Sequence, residues 1–203
     1  MFYDKIGDAI TRKGTIIKMK HVVAFSHQLL QEAVTPGDIV IDATCGNGND
    51  TVFLSRLVGE NGRVLAFDIQ EQAIRATKKK LTEHTLHNTD VIQDSHERVA
   101  NYLEKPASIG GAIFNLGYLP GSDKRIITRG SSTIRAIGAM LHVLKKKGVI
   151  VLVIYHGHAG GAEEKDAIMH YVTTLDQQIF NVLQYGFINQ RNNPPFIVAI
   201  EKK

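Results

Sequence analysis

The chain has 203 residues, 43% of them hydrophobic and 22% charged, with one cysteine and 24 Lys plus Arg against 20 Asp plus Glu. That length suits one well-buried domain better than two, and no uninterrupted apolar stretch approaches the roughly 20 residues of a membrane span. The lone Cys45 excludes an internal disulfide and a multi-cysteine zinc site, while an excess of four basic charges is only a weak pointer to an anionic partner.

The opening stretch MFYDKIGDAITRK has no apolar core of a signal peptide, so a reducing cytoplasm is the expected compartment and no membrane is involved. Residues 1–19 are polar and without clear periodicity, and read as a peripheral leader to a single domain over residues 20–203. From His21 to Val34 apolar residues fall near one helical face, until Thr35-Pro36-Gly37-Asp38 breaks the helix. Compact apolar runs then alternate with helix-patterned segments, the signature of βα units around a parallel sheet. Strands are predicted at Asp38–Ala43, Arg63–Asp68, Thr89–Gln93, Gly111–Asn115, Val149–Tyr155, Phe180–Ile188 and Pro195–Glu201. Helices are predicted at Asp50–Val58, Gln70–Glu83, His96–Tyr102, Ser131–Leu144 and Gly161–Leu175, with the basic run LKKKG at 144–148 as a helix C-terminus. The connection Asn189–Pro194 is too short for a crossover helix, so the last two strands pair as an antiparallel hairpin or lie apart. This pattern fits an α/β fold of the class I methyltransferase (Rossmann-like) plan, a seven-stranded, mostly parallel sheet with an antiparallel final strand.

The first strand runs into TCGNGNDT, a glycine-bearing turn at the end of a sheet where ligands of open α/β folds bind. Carboxylates close the first three strands. Asp42 can face an ammonium, Asp68 can accept both hydrogen bonds of a ribose diol, and Asp94 falls near an adenine. A dinucleotide would favour a third glycine where Thr51 stands, and Asp42 would repel a pyrophosphate. S-adenosylmethionine, with a sulfonium, an ammonium and no phosphate, suits the acidic turn better than a nicotinamide dinucleotide does.

Together DATCGNGNDT, FDIQ, DSHE, NLGYLPGSDK, YHGHAGG and NNPPF resemble the bacterial rRNA methylase family, which includes tRNA methyltransferases acting on 5-aminomethyl-uridine at wobble position 34. The resemblance runs from about Lys20 to Lys203. It departs at Ser122, where a glycine is expected, and in the first 18 residues, which have no family counterpart. It implies cofactor contacts from Asp42, Thr44, Gly46, Asn47, Gly48, Asp50, Thr51, Asp68, Gln70, Asp94, Ser95 and His96, with Cys45, Ile69 and Asn115 beside them. It also implies a tRNA anticodon stem-loop as partner, with the aminomethyl base of (2-thio)uridine-34 converted to its methylaminomethyl form.

Methylating a primary amine requires a neutral lone pair held in line with the methyl group, so hydrogen-bond acceptors aimed at the amine are needed. Asn115, aided by the carbonyls of Leu116 and Gly117, is the expected acceptor; Tyr118 and Pro120 shape the base pocket, and Asp123 and His156 are candidate proton acceptors alongside His158. Lys124, Arg125, Arg129, Arg135 and Arg191, with Asn192 and Asn193, are expected to face RNA. No metal site is expected. Methylation of rRNA or of a small-molecule amine, and a non-catalytic RNA-binding domain, remain the alternatives, and the sequence leaves a homodimer open.

Overall fold

The computed structural model describes residues 19–103, 108–117, 119 and 127–203. The expectations placed on residues 1–18 and on Tyr118, Pro120, Ser122, Asp123, Lys124 and Arg125 lie outside the described residues.

In chain order the elements are α1 (Val22–Ala33), β1 (Ile39–Asp42), α2 (Asn49–Val58), β2 (Arg63–Asp68), α3 (Glu71–Glu83), β3 (Thr89–Gln93), a 3₁₀ helix (His96–Tyr102) and β4 (Ile109–Leu116). They continue with α4 (Gly130–Val143), β5 (Leu144–Ile154), α5 (Gly161–Thr173), β6 (Phe180–Tyr185) and β7 (Phe196–Lys202). The seven strands order as β3-β2-β1-β4-β5-β7-β6, and β7 runs antiparallel to both of its neighbours. The last two strands therefore do pair as a hairpin.

Side chains alternate across the sheet and fill two cores. Phe67, Phe114, Ile150 and Leu152 pack on one face with Ile137 and Met140 of α4 and Ile168 of α5. Val40, Ile113, Val151 and Ile197 pack on the other with Leu30 of α1 and Leu54 of α2. The chain moves outward from β1 to β2 and β3, then returns to place β4 on the opposite side of β1. The reversal opens a crevice at the carboxyl ends of β1 and β4, where a ligand of such a sheet binds. Among the described residues no helix is long and apolar enough to cross a membrane.

Three local expectations need correction. The LKKKG run does not extend α4: Leu144 turns extended (φ −65°, ψ 126°), and residues from 144 onward belong to β5. Their charges serve tertiary contacts instead, Lys145 lying 2.6 Å from Asp38 and Lys147, at φ 64°, lying 3.7 Å from Glu201. The segment His96–Tyr102 winds as a 3₁₀ helix, with the Ser95 hydroxyl accepting from the Glu97 N–H. β6 stops at Tyr185, before Gly186, and Ile188 is fully exposed beyond it.

Candidate active site

The turn between β1 and α2 is built by continuing the sheet ladder past its end. Ala43 N–H donates to Ile113 O (2.9 Å) and Cys45 N–H to Phe67 O (2.8 Å), so the turn is strung between β4 and β2. Gly48 N–H then donates to Cys45 O (2.7 Å) and closes it. Both glycines are left-handed, Gly46 at φ 49° and Gly48 at φ 76°, which an L side chain adopts only with strain. Their reasons differ. A Cβ on Gly46 would come 3.2 Å from Leu119 Cδ1 in the cavity, whereas one on Gly48 would come 2.9 Å from Thr77 Cα of α3.

The cavity at this end of the sheet has a volume of about 920 Å³. One half is bounded by Gly46, Asp68, Ile69, Asp94, Ser95 and His96, the other by Asn115, Gly117, Thr128, Tyr155, His158 and Asn193. Asp68 accepts from Gly46 N–H (3.1 Å) and Gln70 N–H (2.9 Å), and burial raises its pKa against those bonds. Asp94 is held by Ser95 N–H (2.7 Å) and the Tyr102 hydroxyl (2.9 Å). His96 is pushed down by burial and is therefore neutral near pH 7; with Nδ1 3.0 Å from Ala43 O, its proton sits on Nδ1. Its Nε2 is buried without a hydrogen-bond partner among the described residues.

Asp42 lies beneath the cavity rather than in its wall. It is fully buried, accepts from Thr51 Oγ1 (2.6 Å) and Thr44 N–H (3.2 Å), and is pushed up to about 7 by that burial and by the charge of Asp50. A carboxyl whose folded pKa exceeds its unfolded value gives stability that is lost as pH rises through the folded value. The advantage of Asp42→Asn over the wild type should therefore grow between about pH 4 and pH 7 and level off above, as urea unfolding at pH 5 and pH 8 would register. An advantage equal at both would show that Asp42 is not protonated in the folded chain.

Asp50 and Asn115 meet at the centre. Asn115 Nδ2 donates to Asp50 Oδ2 (2.6 Å), and Asn115 N–H to Thr44 Oγ1 (2.7 Å). The other Asp50 oxygen lies 2.6 Å from His27 Nε2 of α1. Across the cavity, Gly117 N–H donates to Thr128 Oγ1 (3.0 Å), and Thr128 Oγ1 donates to Glu164 Oε2 (2.6 Å). Glu164 is buried on α5 and raised by that burial, so a carboxyl and a threonine pin the strand-four exit to α5. Neither His27 nor Glu164 was among the residues expected from the sequence.

Of those that were, Gly48 and Thr51 join Asp42 outside the cavity wall, and so does His156, whose ring packs edge-on against Phe196 at 5.6 Å. Asn192, with Asn193 and Arg129, reaches the cavity from the β6–β7 connection and the start of α4. Arg135 is engaged by Glu97 at 2.6 Å, and Arg191 is exposed and does not line the cavity, although Asn192 beside it in the chain does.

The family model described as "Putative rRNA methylase" matches residues 64–201. The chain belongs to this family. A "putative rRNA-methylase" of Clostridium thermocellum, solved by crystallography, is 44% identical and superposes with a TM-score of 0.89, over 92% of this chain and 100% of that one. A "putative methyltransferase" of Streptococcus mutans, solved in complex with SAH, is 42% identical with a TM-score of 0.84 over 92% of this chain and 100% of that one. A relative from Arabidopsis thaliana named "tRNA (mnm(5)s(2)U34)-methyltransferase, chloroplastic" is 31% identical over 94% of this chain and 73% of its own length.

This rRNA methylase family member has the class I methyltransferase fold and uses S-adenosyl-L-methionine. Its own residues fit that cofactor. The turn at Gly46 leaves open the space a Cβ would fill, Asp68 lines the cavity with a carboxylate suited to a diol, and the carboxylates gathered there match a cationic rather than a phosphorylated ligand.

Proposed function

We propose that this methyltransferase N-methylates the 5-aminomethyl group of a (2-thio)uridine at wobble position 34 of tRNA. The observation that carries the reading is the hydrogen bond from Asn115 Nδ2 to Asp50. An ionised carboxylate only accepts, and a primary amide has one donating and one accepting end. With Nδ2 committed to Asp50, Oδ1 is the end left to accept a bond from an amine.

S-adenosyl-L-methionine, when bound, supplies a methyl group on a sulfonium and leaves as S-adenosylhomocysteine. The chain's part is to hold a neutral amine in line with that methyl and to keep water from its lone pair. Asn115 Oδ1 takes one amine N–H; the Leu116 and Gly117 carbonyls, expected from the sequence to aid it, are instead engaged by Tyr155 N–H (3.0 Å) and Thr128 N–H (3.0 Å). The new N–C bond forms as the C–S bond breaks, and the resulting ammonium loses one proton to solvent. Tyr155, exposed at the cavity wall, gives a flat surface for a base turned out of a loop. Arg129 and Arg191 offer charge to the phosphates on either side, Asn192 and Asn193 supply polar contacts, and Arg135 stays tied to Glu97. The name of the Arabidopsis relative supports the same acceptor.

Nucleosides from wild-type and deletion-strain tRNA test the reading. The deletion strain should accumulate the aminomethyl base at position 34 and lack the methylaminomethyl base. Normal methylaminomethyl levels, or label from the cofactor entering ribosomal RNA instead of tRNA, would overturn it.

A further inference from the structure

We propose that His27 of α1 is a positioning residue for methyl transfer, acting through Asp50 to fix the Asn115 amide with its carbonyl turned to the acceptor. The inference deepens the amine-methylation reading and rests on it. Three elements remote in sequence meet in one chain of contacts: His27 Nε2 to Asp50 Oδ1 at 2.6 Å, and Asn115 Nδ2 to Asp50 Oδ2 at 2.6 Å. The first link spans 23 residues and the second 65, so the arrangement joins α1, α2 and β4 rather than decorating one turn.

Each link removes a freedom the next would otherwise have. Asp50 is at the first turn of α2, where its carboxylate could swing toward the helix N–H groups or into the cavity. With one oxygen against His27 and the other against Asn115, it is held at both ends. The imidazole is held in turn by a face-to-face stack on Phe53, with ring centres 3.9 Å apart and planes within 5°. The Asn115 backbone is pinned separately by its N–H bond to Thr44 Oγ1, so only the side-chain amide depends on Asp50. Other ionisable groups near Asp50 are Asp42, buried behind it, and Tyr155, on the cavity side. The His27 Nε2–H is the donor on the other Asp50 oxygen that keeps the carboxylate from turning away from Asn115. His27 does not touch the reacting atoms, and its effect reaches them through the amide alone. Asp50, expected from the sequence to contact the cofactor, thereby becomes the joint of this support.

The test compares wild type, His27→Ala and His27→Gln, with S-adenosylhomocysteine as ligand and the aminomethyl-wobble tRNA as acceptor. The side-chain amide of Asn115 is followed by ¹H–¹⁵N NMR, its signals assigned by their loss in Asn115→Ala. In His27→Ala its hydrogen exchange should quicken at least about tenfold, and kcat should fall about tenfold while KM and the Kd for S-adenosylhomocysteine stay within about threefold. His27→Gln, whose amide can donate to Asp50, should recover most of both losses. An unchanged Asn115 amide in His27→Ala, or a loss in KM or ligand affinity without one in kcat, would overturn the proposal. If His27→Ala does not fold, failure of His27→Gln to keep the slow exchange of the wild type would overturn it equally. Should the wild type transfer no methyl to this tRNA, the acceptor assignment falls, while the amide exchange still judges the His27 link by itself.

Discussion

Asn115→Ala is expected to lower the turnover of methyl transfer about 100-fold while leaving S-adenosylhomocysteine affinity within about threefold in calorimetry. The side chain is half-buried at the end of β4, and its amide nitrogen is already spent on Asp50, so the cofactor has little to lose when it is cut back. The acceptor amine loses the group that holds its lone pair in line. A misplacement of an ångström at a reacting atom is enough for a loss of this size. Truncation also leaves the Asp50 oxygen without its donor beside the buried Asp42, so the thermal midpoint should fall as well. Single-turnover rates at saturating cofactor separate the two effects. An unchanged rate would remove Asn115 from the reaction, whatever happened to stability.

Gly48→Ala should be the most damaging change in the β1–α2 turn. The left-handed conformation costs an L residue roughly 1–2 kcal/mol, and the added methyl would lie 2.9 Å from the Thr77 backbone carbon, which no side-chain rotation relieves. α3 must move away from the turn. Thr77 donates to Gly46 O at 3.2 Å, and α3 follows directly on Asp68 and Gln70, so the movement reaches the cavity wall. The expected result is a midpoint lowered by roughly 4–8 °C and S-adenosylhomocysteine bound about tenfold more weakly. Gly59→Ala is the control, because Gly59 also has a positive φ (68°, with ψ −177°) that strains an L residue but has nothing within 4 Å of its missing Cβ. It should lose stability to strain alone and bind as the wild type does. Equal behaviour of the two variants would show that the approach of α3 does not shape the site.

Much of the fold can be read from the chain because β1, β2, β4, β5 and β7 are buried on both sheet faces and so stand out as short apolar runs between breakers. The predicted six-residue connection at the end is too short for a crossover helix and leaves a hairpin or two separate strands, and the pairing of β6 with β7 decides for the hairpin. Where the reading failed, charge misled it. LKKKG looks like a helix end completed by lysines, and only the positions of Asp38 and Glu201, distant in sequence, reveal that Lys145 and Lys147 have partners elsewhere. The cavity wall divides the same way. Asp68, Asp94 and Asn115 are legible because they close strands, and strand ends converge in a parallel sheet. Asp42 also closes a strand, yet it shares the face of β1 with buried Val40 and is taken up by Thr51 and Thr44 beneath the turn, partners that its place at a strand end does not reveal. Glu164 had a usable signal: it shares a helical stripe with Ile168 and Val172, and a carboxylate on a buried stripe needs partners. His27 had none, since a half-buried histidine on an amphipathic helix looks alike whether or not an aspartate waits 23 residues away.

The strand order has a consequence for how the protein is made. β6 precedes β7 in the chain yet lies outside it, at the edge of the sheet, and among the described residues it pairs with no strand but β7. As the polypeptide is synthesised, β5 can join β4 at once, but β6 has no neighbour until residues 196–202 exist. β6 can then enter the sheet only with β7 or after it, so neither of the last two strands adds before the chain has been made through β7. Until that moment β5 has an open edge beside the nascent active site, and the exposed Val182 and Leu183 of β6 travel without a sheet to carry them.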